Sequence, residues 1–415
     1  MFGFGKKVAC FAVALLWALT ALAVPFEFNV DPFYAETMLK GKFGDKPVYF
    51  FIGPSPSMEK AVVAFINSAS KTLDVCVFDL NLPEFAQALL AAHDRGVKVR
   101  VIIARDNAAR AYDVADELEQ MEKKGILTLA HNRSGLMHNK FMVADKQFVW
   151  TGSYNLTRNC SRFNDNHAIV LESPELAENY TVEWQEIFEK RHGKRFAYPT
   201  PHPHVKIGDV VVHNYFTPED DTRGGIIAEM DQATNEIAIL AFSFTDRAIT
   251  DAVKRAIDRG VKVVAILDTG MAGHPSANTK ELRAMGASVR TSPGVLLHHK
   301  VIVIDRQTVV CGSANFSASA FDKNDENVRI MACAKWGARP SAAGGPSRTG
   351  LPSGARPSPR HPRVSRPSAR RGPVSRRSWP RQWLRCADVC RAPFVPALCR
   401  WREWLKSSGL RWPAA

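Results

Sequence analysis

Apolar and polar positions alternate along the chain in an order that occurs twice. In the first pass, residues 48–51 read as a strand, and 58–71 place Ala61, Phe65, Ile66 and Ala69 at helical spacing. Residues 73–78 are a nearly all-apolar strand. A helix follows over 83–94, with Pro83 at its start and Gly96 just past its end. The pattern then predicts a strand at 97–103, a helix at 108–124 and a short strand at 126–130, while 31–47 reads as irregular. In the second pass come a strand at 210–212, a helix at 226–233, a strand at 237–242, a helix at 246–258 and a strand at 261–267. Asp94-Arg95-Gly96-Val97-Lys98-Val99 recurs as Asp258-Arg259-Gly260-Val261-Lys262-Val263, 164 residues on. The repeat therefore spans whole halves, 48–192 and 208–335. Such alternation, with strands apolar on both faces, predicts an α/β fold of two homologous halves, each a mixed β-sheet flanked by helices.

The halves end differently. The first closes with a strand at 167–171 and a helix at 174–191 that carries Tyr180, Trp184, Ile187 and Phe188. The second reaches the matching strand at 327–333 and then shows no closing helix. Between them, 193–207 reads as a linker, and the Pro-rich run that holds His202 and His204 is solvated chain rather than a metal site. Residues 336–415 are rich in Pro, Arg and Ser without an apolar period, the composition of a disordered basic tail. That segment is either native or an out-of-frame reading of the end of the gene.

Net charge is +14, which invites a nucleic-acid partner until the charge is located. From Gly337 on, 16 Arg and one Lys face only Asp388 and Glu403, so the rest of the chain is close to neutral. At the other end, Lys6 and Lys7 precede an apolar run over 8–24, broken only by Thr20 and ending in Ala21-Leu22-Ala23. This is the pattern of a secretory signal peptide over 1–23, which predicts an exported protein; the alternative is an uncleaved membrane anchor. Cys76, Cys311 and Cys333 lie in apolar strand-like runs, and no Cys shows the C-x-x-C spacing of a zinc site.

The chemistry sits in two strings, His138 to Asn155 and His298 to Asn315. His138, Lys140, Asp145, Gly152, Ser153 and Asn155 recur as His298, Lys300, Asp305, Gly312, Ser313 and Asn315, each 160 residues on. On a strand over 136–144, His138 and Lys140 point to one face, as do His298 and Lys300. A hairpin then brings Asn155 back towards Lys140. An imidazole, an ammonium and an amide that converge suit a phosphate group. Two such sets about a pseudo-twofold axis make a whole site for a phosphodiester: one His attacks phosphorus, the other protonates the leaving oxygen, and the Lys and Asn pairs take the charge. This scheme requires neither a metal nor a cofactor. Asp145 and Asp305 follow their strands, where capping a turn stands beside a catalytic role.

On these two strings, H-x-K-x(4)-D-x(6)-G-S-x-N, the chain resembles the phospholipase D superfamily over residues 48–335, in particular its small bacterial phospholipase D-like and endonuclease-like members. The resemblance implies one active site at the interface of the halves, a covalent phosphohistidine, His138 as nucleophile and His298 as general acid. It also implies a polar residue, thirteen after the motif Ser, that orients an imidazole. This is Glu326 in the second half, but Asn166 in the first, so the first half departs from the Glu form. An exported, near-neutral body favours a phospholipid substrate at a membrane surface, cleaved to phosphatidic acid and an alcohol. The alternatives are a nuclease, a phosphatidyltransferase of the cardiolipin synthase type, and a catalytically inactive binding protein. Oligomeric state is not legible.

Overall fold

A computed structural model describes residues 38–130, 135–191, 197–292 and 294–333. The predicted signal peptide, the basic tail and part of the linker lie outside the described residues. The first half forms β1 (Met38–Phe43), β2 (Lys46–Gly53), α1 (Pro56–Ser68), β3 (Thr72–Val77), α2 (Pro83–Asp94), β4 (Lys98–Ala104), α3 (Ala115–Lys123), β5 (Leu127–Ala130), β6 (Lys140–Ala144), β7 (Phe148–Gly152), β8 (Asn164–Glu172) and α4 (Pro174–Phe188). The second forms β9 (His204–Ile207), β10 (Val210–Thr217), α5 (Thr222–Asp231), β11 (Glu236–Ala241), α6 (Arg247–Asp258), β12 (Lys262–Leu267), β13 (Ser288–Thr291), β14 (Leu296–Leu297), β15 (Lys300–Ile304), β16 (Thr308–Gly312) and β17 (Glu326–Cys333). Several helical turns of three to six residues fill the connections.

Each half is a mixed sheet. The strand orders are β1-β2-β8-β7-β6-β3-β4-β5 and β13-β12-β11-β15-β16-β17-β10-β9. In both, the three strands that alternate with helices run parallel and the motif hairpin beside them is antiparallel. Strand β14 leaves its own half and pairs with β8, Leu296 against Asn164. Pro at the first turn and a Ser cap start both α1 and α4: Ser55 accepts from the Ser57 N–H, and Ser173 from the Leu176 N–H.

Three apolar layers result. One packs α1, α2 and α3 on the first sheet, and another packs α5 and α6 on the second. The third lies between the sheets and holds Leu176, Tyr180, Trp184 and Ile187 of α4. Trp184 also donates its indole N–H to Val75 O at 2.9 Å, which locks α4 onto β3. The described residues contain no second-half counterpart of α4, and no helix among them is long and apolar enough to cross a membrane.

The structure revises four expectations. The stretch read as irregular contains β1, which pairs with β2 from Met38↔Phe51 to Phe43↔Lys46. The helix expected over 108–124 is broken into Arg105–Ala108, a single turn at Tyr112–Val114, and α3. The linker ends early, because His204–Ile207 pairs with β10 as an edge strand. The motif strand begins at Lys140, with its His just outside it.

Candidate active site

Each motif His is anchored by the opposite half. The His138 N–H donates to Asp325 O at 2.9 Å, and the His298 N–H to Asp165 O at 2.8 Å. The imidazoles are held crosswise as well. His138 Nδ1 lies 2.7 Å from Glu326 Oε2, and His298 Nδ1 lies 2.8 Å from Asn166 Oδ1. A carboxylate only accepts, so His138 carries its proton on Nδ1. The Asn166 amide donates to Asn164 O at 3.0 Å and Cys160 O at 3.3 Å, so its oxygen must face His298. Both rings are thereby fixed in the form that leaves Nε2 free. The Asn for Glu departure in the first half thus acts on the second half's His298, and not on His138.

The motif Gly and Ser explain how those partners are placed. A Cβ on Gly152 would stand 2.3 Å from His167 O, and one on Gly312 would stand 2.1 Å from Asn327 O. Only Gly lets the adjacent strands approach so closely. The next residues reach across that contact: Ser153 Oγ donates to Asn166 Oδ1 at 3.3 Å, and Ser313 Oγ to Glu326 Oε2 at 2.8 Å. Both serines are fully buried.

Lys140 and Lys300 are buried and bonded to the carbonyls of their own motif histidines, at 2.5 and 2.7 Å. Phe78 lies edge-on to His138 and within 5.0 Å of the Lys140 ammonium; Phe242 repeats this against His298 and Lys300. Asn155 and Asn315 are half-buried, and the Oδ1 of each finds no hydrogen-bond partner. An unmatched buried amide beside a site is a place for a ligand or water.

Burial dominates the electrostatics. It lowers the pKa of His138 from the usual value, against the upward pull of Glu326. His298, with an amide rather than a carboxylate on Nδ1, goes well below its usual range, through burial and then the two Lys. Burial brings Lys140 down to about 8 and, with Lys140 beside it, pushes Lys300 well below its ordinary value. Two lysines and two histidines crowd together, and each positive charge among them makes the next more costly. A phosphodiester monoanion among them relieves the repulsion and favours their charged forms.

Asp145 and Asp305 do another job. Each opens the three-residue turn of its motif hairpin at φ near +50°, a region Asp tolerates. The Asp145 carboxylate accepts from the N–H groups of Ser70, Lys71 and Thr72, and that of Asp305 from those of Thr234, Asn235 and Glu236. Burial opposes the charge of each, but these amides outweigh it and hold both pKa values low.

A deeper pair behind each motif went unread in the sequence. Asn327 Nδ2 donates to Asn139 Oδ1 at 2.7 Å; at the equivalent positions His167 and His299 stack with their Nδ1 atoms 3.2 Å apart. Burial holds His167 far below its usual pKa and takes His299 to about 3, so both are neutral. Phe78 and Phe242 also went unread, although they share the 164-residue offset of the Asp-Arg-Gly repeat.

A family model described as a cardiolipin synthase, phospholipase D-like domain matches residues 62–188 and 226–336. Over 135 residues the chain is 26% identical to a mitochondrial cardiolipin hydrolase of Chlamydomonas reinhardtii, covering 32% of this chain and 59% of the relative. Over 132 residues it is 32% identical to a phospholipase D of Rickettsia prowazekii, covering 32% of this chain and 62% of the relative. The match thus spans about 60% of the length of these relatives. Among solved structures, phosphatidylserine synthase of Haemophilus influenzae shares the fold: 14% identity, 74% of this chain and 86% of that one, TM-score 0.56.

Proposed function

This chain belongs to the family of cardiolipin synthase, phospholipase D-like domains, and from that premise we propose that it is a phosphodiester hydrolase that cleaves a phospholipid to phosphatidic acid and an alcohol. The observation that carries the reading is the crossed pair, His138 on Glu326 and His298 on Asn166. The partners differ, and the difference divides the labour. When His138 Nε2 bonds to phosphorus its ring becomes cationic, and the Glu326 carboxylate stabilises that charge. His298, backed by a neutral amide, gives up a proton more readily, and passes it to the alkoxide as the P–O bond breaks. Water then attacks phosphorus, His298 takes its proton, and His138 is released. Lys140, Lys300, Asn155 and Asn315 take the charge on the non-bridging oxygens.

The lipid reading is supported by the relatives' names, a cardiolipin hydrolase and a phospholipase D. The apolar run over 8–24 supports export, and an exported enzyme meets lipid more readily than nucleic acid. The test is a side-by-side assay of the purified protein on phospholipid vesicles and on single- and double-stranded DNA, with a chelator present. Release of phosphatidic acid is expected. Cleavage of DNA alone would make it a nuclease, and product formed only with an added alcohol would make it a transferase.

A further inference from the structure

Seven large apolar side chains are exposed among the described residues, and five of them belong to segments that adjoin the motif histidines or their partners. Leu136 (51% exposed) and Leu296 (41%) each stand two residues before a motif His. They are equivalent positions of the two halves, 160 residues apart, and each lies on the other half. Leu136 O accepts from the Asp325 N–H at 2.8 Å, and Leu296 pairs with Asn164. Phe163, 61% exposed, is the neighbour of Asn164, and Val295, 39% exposed, is the neighbour of Leu296. Tyr112, at 81%, belongs to the segment that Asn107 ties to Phe78 O at 2.8 Å, beside His138. The remaining two are partnered elsewhere: Phe188 stacks on Trp184, and Arg191 lies over Tyr198.

We propose that these five side chains form an apolar rim around the mouth of the site and dock it on a phospholipid bilayer. The inference rests on the lipid reading above and adds the surface that reaches the substrate. Single exposed apolar residues are ordinary, but two symmetric apolar lips around a buried phosphodiester site are not. The reacting histidines and lysines are almost fully buried, so a headgroup must leave the membrane plane to reach them. Lips that enter the boundary between headgroups and acyl chains shorten that path, and aromatic rings such as Phe163 and Tyr112 suit that depth. Among the described residues exposed cations also stand near the rim, Arg110 two residues before Tyr112, Arg162 beside Phe163 and paired with Glu59, and Lys323 against Gly135, so the test separates apolar insertion from charge.

The experiment compares the full-length protein with its Leu136→Ser/Phe163→Ser/Leu296→Ser variant. Sedimentation with phosphatidylcholine vesicles is measured in about 0.5 M NaCl, where attraction by the Arg-rich segment is screened. Turnover is measured on the same vesicles and on bis(4-nitrophenyl) phosphate. The wild type is expected to sediment with vesicles. The variant is expected to keep turnover of the soluble diester within about two-fold, which also reports that it is folded, and to lose at least about ten-fold on vesicles. Wild-type protein that does not bind vesicles, or a variant that binds and cleaves them equally well, overturns the rim. So does self-association without lipid that the substitutions abolish, which would assign the surface to a second copy. Failure of the lipid reading looks different: the wild type cleaves the soluble diester and DNA but no vesicle lipid.

Discussion

At the scale of the residue, two motifs that share six residues face different partners, and the proposed division of labour follows from that difference. His138→Ala is expected to abolish turnover and the covalent adduct together. His298→Ala is expected to be nearly inactive on natural diesters yet still to form adduct from a nitrophenyl ester, whose leaving group hardly needs a proton. Mass spectrometry of a quenched digest locates the phosphate; finding it on His298 in the wild type reverses the roles. The pH profile carries a second test. His138 must be neutral to attack, so the acid limb follows its pKa, which burial already lowers and Glu326 holds up. Glu326→Gln removes that support, so the acid limb should move to lower pH. Phosphorylation should slow by about 100-fold, because the cationic intermediate loses its counter-charge. A limb that moves upward, measured as kcat/KM on a soluble diester, would sink the assignment. A six-residue pattern at a fixed offset nominates the candidate reacting groups from the sequence, and the structure places the partners of both imidazoles across the two halves. Which imidazole Glu326 faces is not legible in the sequence, because spacing along one strand says nothing of a partner that crosses from the other half.

At the scale of the element, the motif is a hairpin, and its acid holds up the fold rather than the chemistry. Asp145 sits at a backbone angle that most residues avoid and gathers the amides that lead into β3. Asp145→Ala loses those charge-assisted bonds and the tolerated angle, at a cost of about 2 kcal/mol. The measurement is the urea midpoint, which should fall, set against soluble-diester turnover under native conditions, which should stay within about two-fold. A large loss of turnover in a stable variant would return Asp145 to the active site. Periodicity found most strands and helices here because they are buried on both faces or amphipathic. It missed β1, whose two Lys and one Gly break any alternation, and which becomes a strand only by pairing with β2. It also started the motif strand four residues too early, at 136 rather than Lys140, because alternation does not show where the backbone leaves its own sheet for a carbonyl of the other half.

At the scale of the whole molecule, the halves share one candidate site, since each supplies the residue that holds the other's imidazole. Their equivalence fails at one place. The first half lays α4 into the layer between the sheets, and the described part of the second half ends on β17 without a counterpart. The face that such a helix would cover is apolar: Leu240, Ile266, Val301 and Val303 belong to the same layer. Two outcomes are therefore distinct for the protein cut after Trp336. The crossed histidines, their partners, both lysines and both motif hairpins all precede Cys333. If those suffice, specific activity on a soluble diester stays within a few-fold, and only the binding of polyanions falls, because 16 Arg have been removed. If residues beyond Trp336 complete the layer between the sheets, the cut protein loses activity as fully as His138→Ala and unfolds at lower urea. The composition of that segment, poor in apolar period and rich in Pro, places the expectation on the first outcome. Activity and urea midpoint measured on one preparation of the cut protein decide between them.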